Sequence, residues 1–332
     1  MALVVKNLWV KQGTLNLPGR TVPFWGFASS QGAPPTLPGP TIEAVTGDAV
    51  YVVLRNNAIP QRVSVMFPGQ RNVWVMGRPW GAKKASPRYE GGRMISLTDY
   101  LEPGRATSIT YTFEATRPGV FLYESGTNPE NQVQMGLYGV IIVRPPGYNV
   151  PSDPNYKTAY GAGTGTRFDI EKTMVIGELD SLMHEALAQG AGYNILDYSP
   201  DYWVINGRSY PDTLRSNYDP QMPSQPLGSS VAVRTGRRLL LRVVNAGFQN
   251  HTFHLGGLVG RVVAGDGYPF TSPARDTSYR KTVTTLGSGQ SFDIIVTPEY
   301  PGGFYLRDRD YNHVVNGDVF PGGMMTRVDV TS

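Results

Sequence analysis

Short runs of alternating apolar and polar residues recur along the whole chain, separated by turns rich in glycine and proline. In residues 38–57 (PGPTIEAVTGDAVYVVLRNN) the alternation continues on both sides of Gly47 and ends at Asn56. A period of two places every second side chain on one face, so each run predicts a strand with one buried face. The two runs around Gly47 predict a β-hairpin.

The same pattern returns in residues 228–247 (GSSVAVRTGRRLLLRVVNAG), where Gly236 and Asn245 take the places of Gly47 and Asn56. The glycine and the asparagine are nine residues apart in both segments. This self-similarity predicts two copies of one structural unit.

A second pair of matching segments supports the repeat. Residues 118–123 (PGVFLY) match residues 301–306 (PGGFYL), and each is followed by a loop ending in a methionine and by an apolar strand, 140–143 or 328–330. We therefore predict one β domain over residues 1–146 and a second over residues 171–332. Residues 147–170, rich in proline, glycine and tyrosine, are interpreted as the linker.

One short helix near this linker is predicted, over residues 180–187 (DSLMHEAL). Asp180 or Ser181 can cap its beginning, and Gly190 can end it. We interpret His184, which lies in this helix, as a surface residue rather than a metal ligand.

Composition agrees with an all-β fold. The 332 residues suit two domains, and the chain has 39 glycines and 27 prolines but only 17% charged residues. The net charge of +4 is small and the 30 Lys and Arg residues are scattered along the chain, which argues against a nucleic-acid partner.

No run of 18 apolar residues predicts a membrane span, and the first residues (MALVVKNLWV) resemble a strand rather than a signal peptide. The chain has no cysteine, which excludes disulfides and thiolate ligands.

Segments spread over nearly the whole chain resemble the multicopper oxidases. Their order matches that family: 22–27 (VPFWGF), 37–42 (LPGPTI), 131–139 (NQVQMGLYG), 202–212 (YWVINGRSYPD), 244–247 (VNAG) and 250–255 (NHTFHL). The resemblance implies two tandem cupredoxin-like Greek-key β-barrels. In that family a mononuclear blue copper passes electrons to a trinuclear copper cluster that reduces oxygen.

The resemblance also locates the residues that would hold the trinuclear cluster, which takes eight histidines in four His-x-His pairs. Only one of these eight positions is a histidine in this chain: the pairs fall on Met66 and Pro68, Glu124 and Gly126, His254 and Gly256, and Arg307 and Arg309. Proline and glycine have no side-chain donor, and arginine adds positive charge. We expect the trinuclear site to be lost, and laccase-type oxidase activity with it.

The mononuclear position is better preserved. His251 and His313 take its two histidine positions, Met324 can take the axial position, and Asp308 stands in place of the cysteine. The corresponding residues of the first half make no metal site: Val63, Ser125, Glu130 and Met135.

Two interpretations of this position remain open. Two imidazoles and a carboxylate can bind one copper or another divalent metal ion per chain. Alternatively, no cofactor is bound, the histidines are hydrogen-bonded relics, and Asp308 is ion-paired with the neighbouring Arg307 and Arg309. In the first half, we expect Glu124 to pair with an arginine.

Three classes of function follow. The first is a non-catalytic binding or structural module, which the resemblance places outside the cell or in the cell envelope. The second is a mononuclear metalloprotein or residual oxidoreductase, and the third is a metal-free enzyme using Glu124 and Glu130 as paired carboxylates. The resemblance also implies a homo-oligomer in the form of a ring-shaped trimer. Alternatively, exposed strand edges and the linker tyrosines Tyr148, Tyr156 and Tyr160 support an open-ended assembly.

Overall fold

Strands make up most of the fold in the computed structural model, which describes residues 2–56, 58–77, 81–104 and 108–332. The first half contains β1 (Leu3–Leu17), β2 (Arg20–Ala28), β3 (Ile42–Val45), β4 (Ala49–Asn56), β5 (Trp74–Gly77), β6 (Gly81–Lys84), β7 (Arg88–Glu90), β8 (Arg93–Ser96), β9 (Ser108–Glu114), β10 (Gly119–Glu124), helix α1 (Pro129–Gln132) and β11 (Tyr138–Arg144).

The second half adds the longer helix and three 3₁₀ turns. It contains β12 (Ile170–Leu179), α2 (Ser181–Ala188), η1 (Ile195–Asp197), β13 (Tyr202–Ile205), η2 (Asp212–Leu214), β14 (Val231–Arg234), β15 (Leu239–Asn245), β16 (His251–His254), β17 (Gly260–Gly265), β18 (Tyr268–Pro269), β19 (Thr271–Ser272), β20 (Arg275–Asp276), β21 (Tyr279–Lys281), β22 (Val283–Leu286), β23 (Ser291–Val296), β24 (Gly302–Asp308), η3 (Tyr311–His313) and β25 (Met325–Thr331). No helix of the described residues is long and apolar enough to cross a membrane.

Each half is a sandwich of two main sheets, and the strands that the two halves have in common pair in the same way. In the first half the sheets have the orders β2-β1-β4-β9-β5-β6 and β10-β11-β3. In the second half they are β13-β12-β15-β23-β17-β18, with β21 also on β17, and β14-β25-β24-β16-β22. The parallel pairs β1·β4 and β3·β11 of the first half correspond to β12·β15 and β14·β25 of the second. The prediction of an all-β fold built from two cupredoxin-like copies is confirmed.

The predicted hairpin around Gly47 is wrong. β3 pairs with β11 and β4 pairs with β1 and β9, so the two strands lie in different sheets of the sandwich. The same is true around Gly236, where β14 pairs with β25 and β15 with β12 and β23. Both glycines have positive φ, 91° and 75°, and turn the chain from one sheet to the other. Period-two alternation was correct for the buried face of β4, but it carries no information about which strand is the neighbour.

The segment between the halves, predicted as a linker, is a packed strap. Ala159, Tyr160 and Phe168 are buried against Leu240 and Ile295 on the outer face of the second half's larger sheet. The hydroxyl group of Tyr160 donates a hydrogen bond to buried Asp293 (2.6 Å). Tyr160 is therefore not available for contacts between molecules, contrary to expectation, while Tyr148 and Tyr156 are half-buried.

A shared apolar core joins the two halves. Val120, Leu122 and Val140 of the first half pack with Val175 and Val244 of the second in one buried cluster. Separate clusters fill the interior of each sandwich. The functional positions on the loops of both halves are therefore held on one packed scaffold.

Helix α2 confirms the predicted beginning and end of that segment. The side chain of Asp180 accepts a hydrogen bond from the amide of Met183, and Gly190 follows the helix with φ 75°.

The interpretation of His184 as a surface residue is wrong. Its ring is fully buried, with Nδ1 2.7 Å from the carbonyl oxygen of Pro23 and Nε2 2.9 Å from that of Gln134. His184 thus attaches the helix to the first half.

Candidate functional site

Three of the four residues proposed for the mononuclear position converge in the second half. His251, Asp308 and His313 each offer one ligand atom, and these atoms lie within 4.8 Å of one another. Nδ1 of His251 and Nδ1 of His313 are 2.8 Å and 2.9 Å from the same atom, Asp308 Oδ2. His251 and Asp308 are buried, and 13% of the His313 side chain is exposed.

Local chain geometry places each of these side chains. His251 begins β16, and Asp308 ends the neighbouring strand β24. The chain then turns through η3, whose N-cap Asp310 accepts a hydrogen bond from the amide of Asn312, and His313 ends that turn. The ring of His313 stacks on Trp203, with centroids 4.7 Å apart and planes 19° apart, so its orientation is determined by packing.

Glu178 completes the cluster, and the sequence analysis missed it. Its Oε2 lies 2.8 Å from Nε2 of His251, on the opposite edge of the ring from Asp308. Glu178 Oε1 accepts hydrogen bonds from the Tyr198 hydroxyl and from the amides of Phe248 and Gln249. The residue lies in β12, 73 positions before His251, and nothing in its local sequence marks it.

These contacts shift the ionisation of all three groups. Burial favours the neutral ring of His251, but its hydrogen bonds to Asp308 and Glu178 outweigh burial and raise its pKa to about 9. Burial likewise opposes ionisation of Asp308, yet hydrogen bonds from His251 and His313 hold its pKa below the ordinary value. Burial opposes ionisation of Glu178 as well, and the hydrogen bond from His251 lowers its pKa. At neutral pH the cluster is therefore an imidazolium between two carboxylates.

The arginines beside Asp308 take no part in this cluster. Arg307 and Arg309 lie over the ring of Tyr311, 4.8 Å and 5.0 Å from its centroid. The expectation that Asp308 is ion-paired with them is wrong, because its carboxylate is bonded to histidines instead. Successive side chains of a strand point to opposite faces, so Asp308 faces the interior and contacts the histidines while Arg309 is exposed.

Met324 lies next to the cluster through its backbone. Its amide donates to the carbonyl oxygen of His313 (2.8 Å), and its own carbonyl accepts from the amide of Asp308 (3.0 Å). Its side chain is fully buried in the apolar core of the second half. The axial role proposed for Met324 stays a prediction.

The positions assigned to the trinuclear cluster lie at corresponding points of the two halves. Met66 and Glu124 form an antiparallel bridge in the first half, and His254 pairs with Arg307 in the second. Nδ1 of His254 accepts a hydrogen bond from the amide of Gly256 (2.9 Å). Burial and then the charges of the nearby arginines lower the pKa of His254.

Packing around two of these positions leaves no room for a side chain. A Cβ atom on Gly126 would lie 2.7 Å from the Met66 side chain, and one on Gly256 would collide with the backbone of Tyr305. Gly256 also has φ 64°, which a histidine would adopt only under strain. Five of the eight family ligand positions therefore carry residues without a side-chain nitrogen (Met66, Pro68, Glu124, Gly126 and Gly256), and the residues present do not fit a trinuclear copper cluster.

The remaining first-half positions are equally unsuited to a metal. Val63 and Met135 belong to the apolar core, and the hydroxyl group of Ser125 donates to Gln132 Oε1 (2.7 Å). Glu130 is exposed at the start of α1, a short helix that the sequence analysis did not predict. Glu124 is half-buried, burial raises its pKa, and the expected ion pair with an arginine does not form among the described residues, which leave out Arg78 and Arg105.

Comparisons with known proteins identify relatives of both halves. Models of the family described as multicopper oxidase match residues 28–147 and residues 179–326. Laccase-13 of Arabidopsis thaliana is 26% identical over 297 residues, covering 83% of this chain and 42% of that protein. Laccase-3 of Botryotinia fuckeliana is 25% identical over 276 residues, covering 81% of this chain and 49% of that protein. The chain spans less than half the length of these relatives.

Solved structures share the fold over the whole chain. A blue copper oxidase from Nitrosomonas europaea has a TM-score of 0.73 at 22% identity, covering 99% of this chain and 86% of its own. A copper nitrite reductase from the same organism has a TM-score of 0.65 at 20% identity, with 99% and 94% covered. The two matched segments together span most of the chain, and it belongs to the multicopper oxidase family.

Proposed function

We propose that this protein carries out no laccase-type oxidation and serves as a binding or structural module, located outside the cell or in the cell envelope. The observation that supports this most directly is the environment of His251, whose two ring nitrogens each lie 2.8 Å from a carboxylate oxygen. In this proposal the buried imidazole of His251 binds a proton at the position where the family's oxidases bind copper.

The chemistry of the ligands supports a metal-free cluster. A copper or zinc ion binds the lone pair of a deprotonated ring nitrogen. Here Nδ1 of His251 and Nδ1 of His313 converge on one carboxylate oxygen of Asp308, so a metal ion has to displace two N–H donors from that atom. Without a cysteine there is no thiolate to compensate for this cost.

Metal titration with an oxidase assay tests the proposal. Copper(II) and zinc are titrated into apo wild type and into a His251→Ala, His313→Ala double variant, and oxygen uptake is followed with a phenol and a diamine substrate. We expect equally weak metal binding in both proteins, no blue absorption band and no oxygen uptake. Stoichiometric binding that the double variant loses, or oxidase turnover within about tenfold of an ordinary laccase, overturns the proposal. His313→Asn, at a partly exposed position, replaces the double variant if that one does not fold.

A mononuclear metal site is the second candidate function, and the convergence of one ligand atom each from His251, Asp308 and His313, within 4.8 Å of one another, supports it. Two ligands at right angles around a first-row metal, with bonds of about 2 Å, are separated by about 2.8 Å. The Nδ1–Oδ2 distances of 2.8 Å and 2.9 Å are compatible with that separation as well as with hydrogen bonds, so only the titration distinguishes the two. If the titration finds one tight ion per chain, His251, Asp308 and His313 are its ligands.

We further propose that the chain assembles with other copies, as a trimer or an open-ended assembly. The support is a half-buried Glu124 without a cationic partner among the described residues, together with Arg309, which is exposed on the second half. A carboxylate and a guanidinium on different copies can neutralise each other across an interface. Sedimentation equilibrium of wild type and Glu124→Gln measures the assembly, and a monomer at all concentrations contradicts it.

A further inference from the structure

A cleft lined by three arginines lies on the second half, at the edge of the strap formed by residues 147–169. Its volume is about 450 Å³, and Arg238, Arg261 and Arg280 line it together with Gly165, Ile295 and Glu299. None of these residues belongs to the His251 cluster. Three guanidinium groups face one carboxylate in this concave surface, which leaves it strongly positive.

Strand register places two of these arginines directly opposite each other. Arg261 of β17 and Arg280 of β21 are cross-strand partners in an antiparallel pair. Like charges in such a pair repel each other and destabilise the sheet unless a counter-ion lies between them. An arrangement that costs stability in the free protein is expected where a bound anion compensates for it.

Arg261 is held in position by its neighbours, whereas the guanidinium groups of Arg238 and Arg280 are available to bind an anion. Nη2 of Arg261 donates to the carbonyl oxygen of Gly165 in the strap, and Nη1 lies 3.5 Å from the exposed Asp276. In the part of the chain that the structure describes, no carboxylate lies within ion-pair distance of the Arg238 or Arg280 guanidinium groups. Their planar forks match the geometry of carboxylate, sulfate and phosphate groups.

The cleft continues into a smaller pocket of about 90 Å³, which shares Arg280 and Glu299 with it and ends at Tyr300. Tyr300 is 56% exposed, and Val259, which lines both pockets, is 41% exposed. A ligand extended along this surface would contact the arginines of the cleft at one end and the ring of Tyr300 at the other. It has room for more than one anionic group.

We propose that this arginine cleft binds a ligand carrying two or more closely spaced oxyanion groups. The ligand comes either from free small anions or from an acidic polysaccharide chain, which share this chemistry. Anion binding at the cleft does not depend on whether the His251 cluster binds a metal, because the two sites share no residue.

Isothermal titration calorimetry in metal-free buffer tests the cleft with citrate, pyrophosphate and an oligogalacturonate. The cleft variant is Arg261→Gln, Arg280→Gln. The control is Lys84→Gln, Arg93→Gln, which removes the same charge from exposed positions in the first half. We expect the cleft variant to weaken binding by at least about tenfold and the control by less than about twofold.

The probes separate the two sources. Affinity for oligogalacturonate that rises with chain length supports a polysaccharide, and binding of citrate or pyrophosphate alone supports a small anion. Thermal melting verifies that the cleft variant folds, and we expect its melting temperature to change little, because relief of the repulsion between Arg261 and Arg280 offsets the lost hydrogen bond from Arg261 to Gly165. The proposal is overturned if no probe binds wild type, if both double variants weaken binding equally, or if a thymidine oligonucleotide binds as well as the probes.

Discussion

Nε2 of His251 lies 2.8 Å from Oε2 of Glu178, and both side chains are fully buried. Because Asp308 takes the other ring nitrogen, the histidine joins strands β12, β16 and β24 across the interior of the second half. Glu178 is itself held by two backbone amides and by the hydroxyl group of Tyr198. The two hydrogen bonds therefore hold the ring in one orientation.

Removing the imidazole is expected to be strongly destabilising. His251→Leu leaves Glu178 and Asp308 buried without the cation between them, and we expect a loss of about 3–5 kcal/mol in the free energy of unfolding. Urea denaturation of metal-free protein measures it. His254→Leu is the matched control on the same strand, because His254 is only half-buried and makes a single hydrogen bond to a backbone amide. A similar loss in both variants would mean that burial alone, not the ion pairs, explains the effect.

Restoring a thiolate is expected to restore copper binding. Asp308→Cys creates a set of two imidazoles and a thiolate, and such a set binds copper with an intense blue colour. Glu178 keeps its hydrogen bond to Nε2 of His251, a common arrangement around metal-binding imidazoles. Visible absorption after copper(II) addition measures this, with Asp308→Asn as the colourless control. A colourless Asp308→Cys protein that is folded would show that the histidines are no longer positioned for a metal.

The stability of the protein is expected to depend on pH through Glu124. Burial raises the pKa of this carboxyl group above its ordinary value, so the unfolded chain releases the proton more readily than the folded one. Stability is therefore lost as pH rises from the unfolded pKa through the folded one. At protein concentrations low enough for the chain to be monomeric, we expect Glu124→Gln to be more stable than wild type at pH 7 and equal to it at pH 3.

Denaturation at both pH values measures this difference, with Glu130→Gln as the exposed control. The contrary result, a Glu124→Gln protein that is less stable at pH 7 and increasingly so at high protein concentration, would mean that another copy supplies a cation to Glu124. That outcome contradicts the prediction for a single chain and supports the proposed assembly.

The strap is expected to owe part of its attachment to one hydroxyl group. Tyr160→Phe removes the hydrogen bond to buried Asp293, which then keeps only its ion pair with Arg242. We expect a loss of about 2 kcal/mol and faster proteolysis within the strap. Tyr156→Phe, at a half-buried position nearby, is the control and is expected to change stability by less than about 0.5 kcal/mol. Equal behaviour of the two variants would contradict this account.

Part of the candidate site could be predicted from the sequence because two of its residues are close together in the chain. Asp308 and His313 are five residues apart on a strand end and the following turn, so the family pattern located both. His184 is different: His184 and Leu187 are three apart on one helical face and both are buried, a signal that was present but not used. Glu178 had no such signal, because it meets His251 only when β12 and β16 come together in the folded sandwich.

The sequence by itself determined the two repeated β units, the buried faces of their strands and the residue types that stand at the family's ligand positions. Those features depend on residue type and short-range periodicity, which the chain carries before it folds. Only the tertiary structure decided that the segments around Gly47 and Gly236 cross between sheets, that His251 lies between two carboxylates, and that Arg261 opposes Arg280. Each of these is a contact between strands far apart in sequence, and pairing and packing of whole sheets, not local pattern, select it.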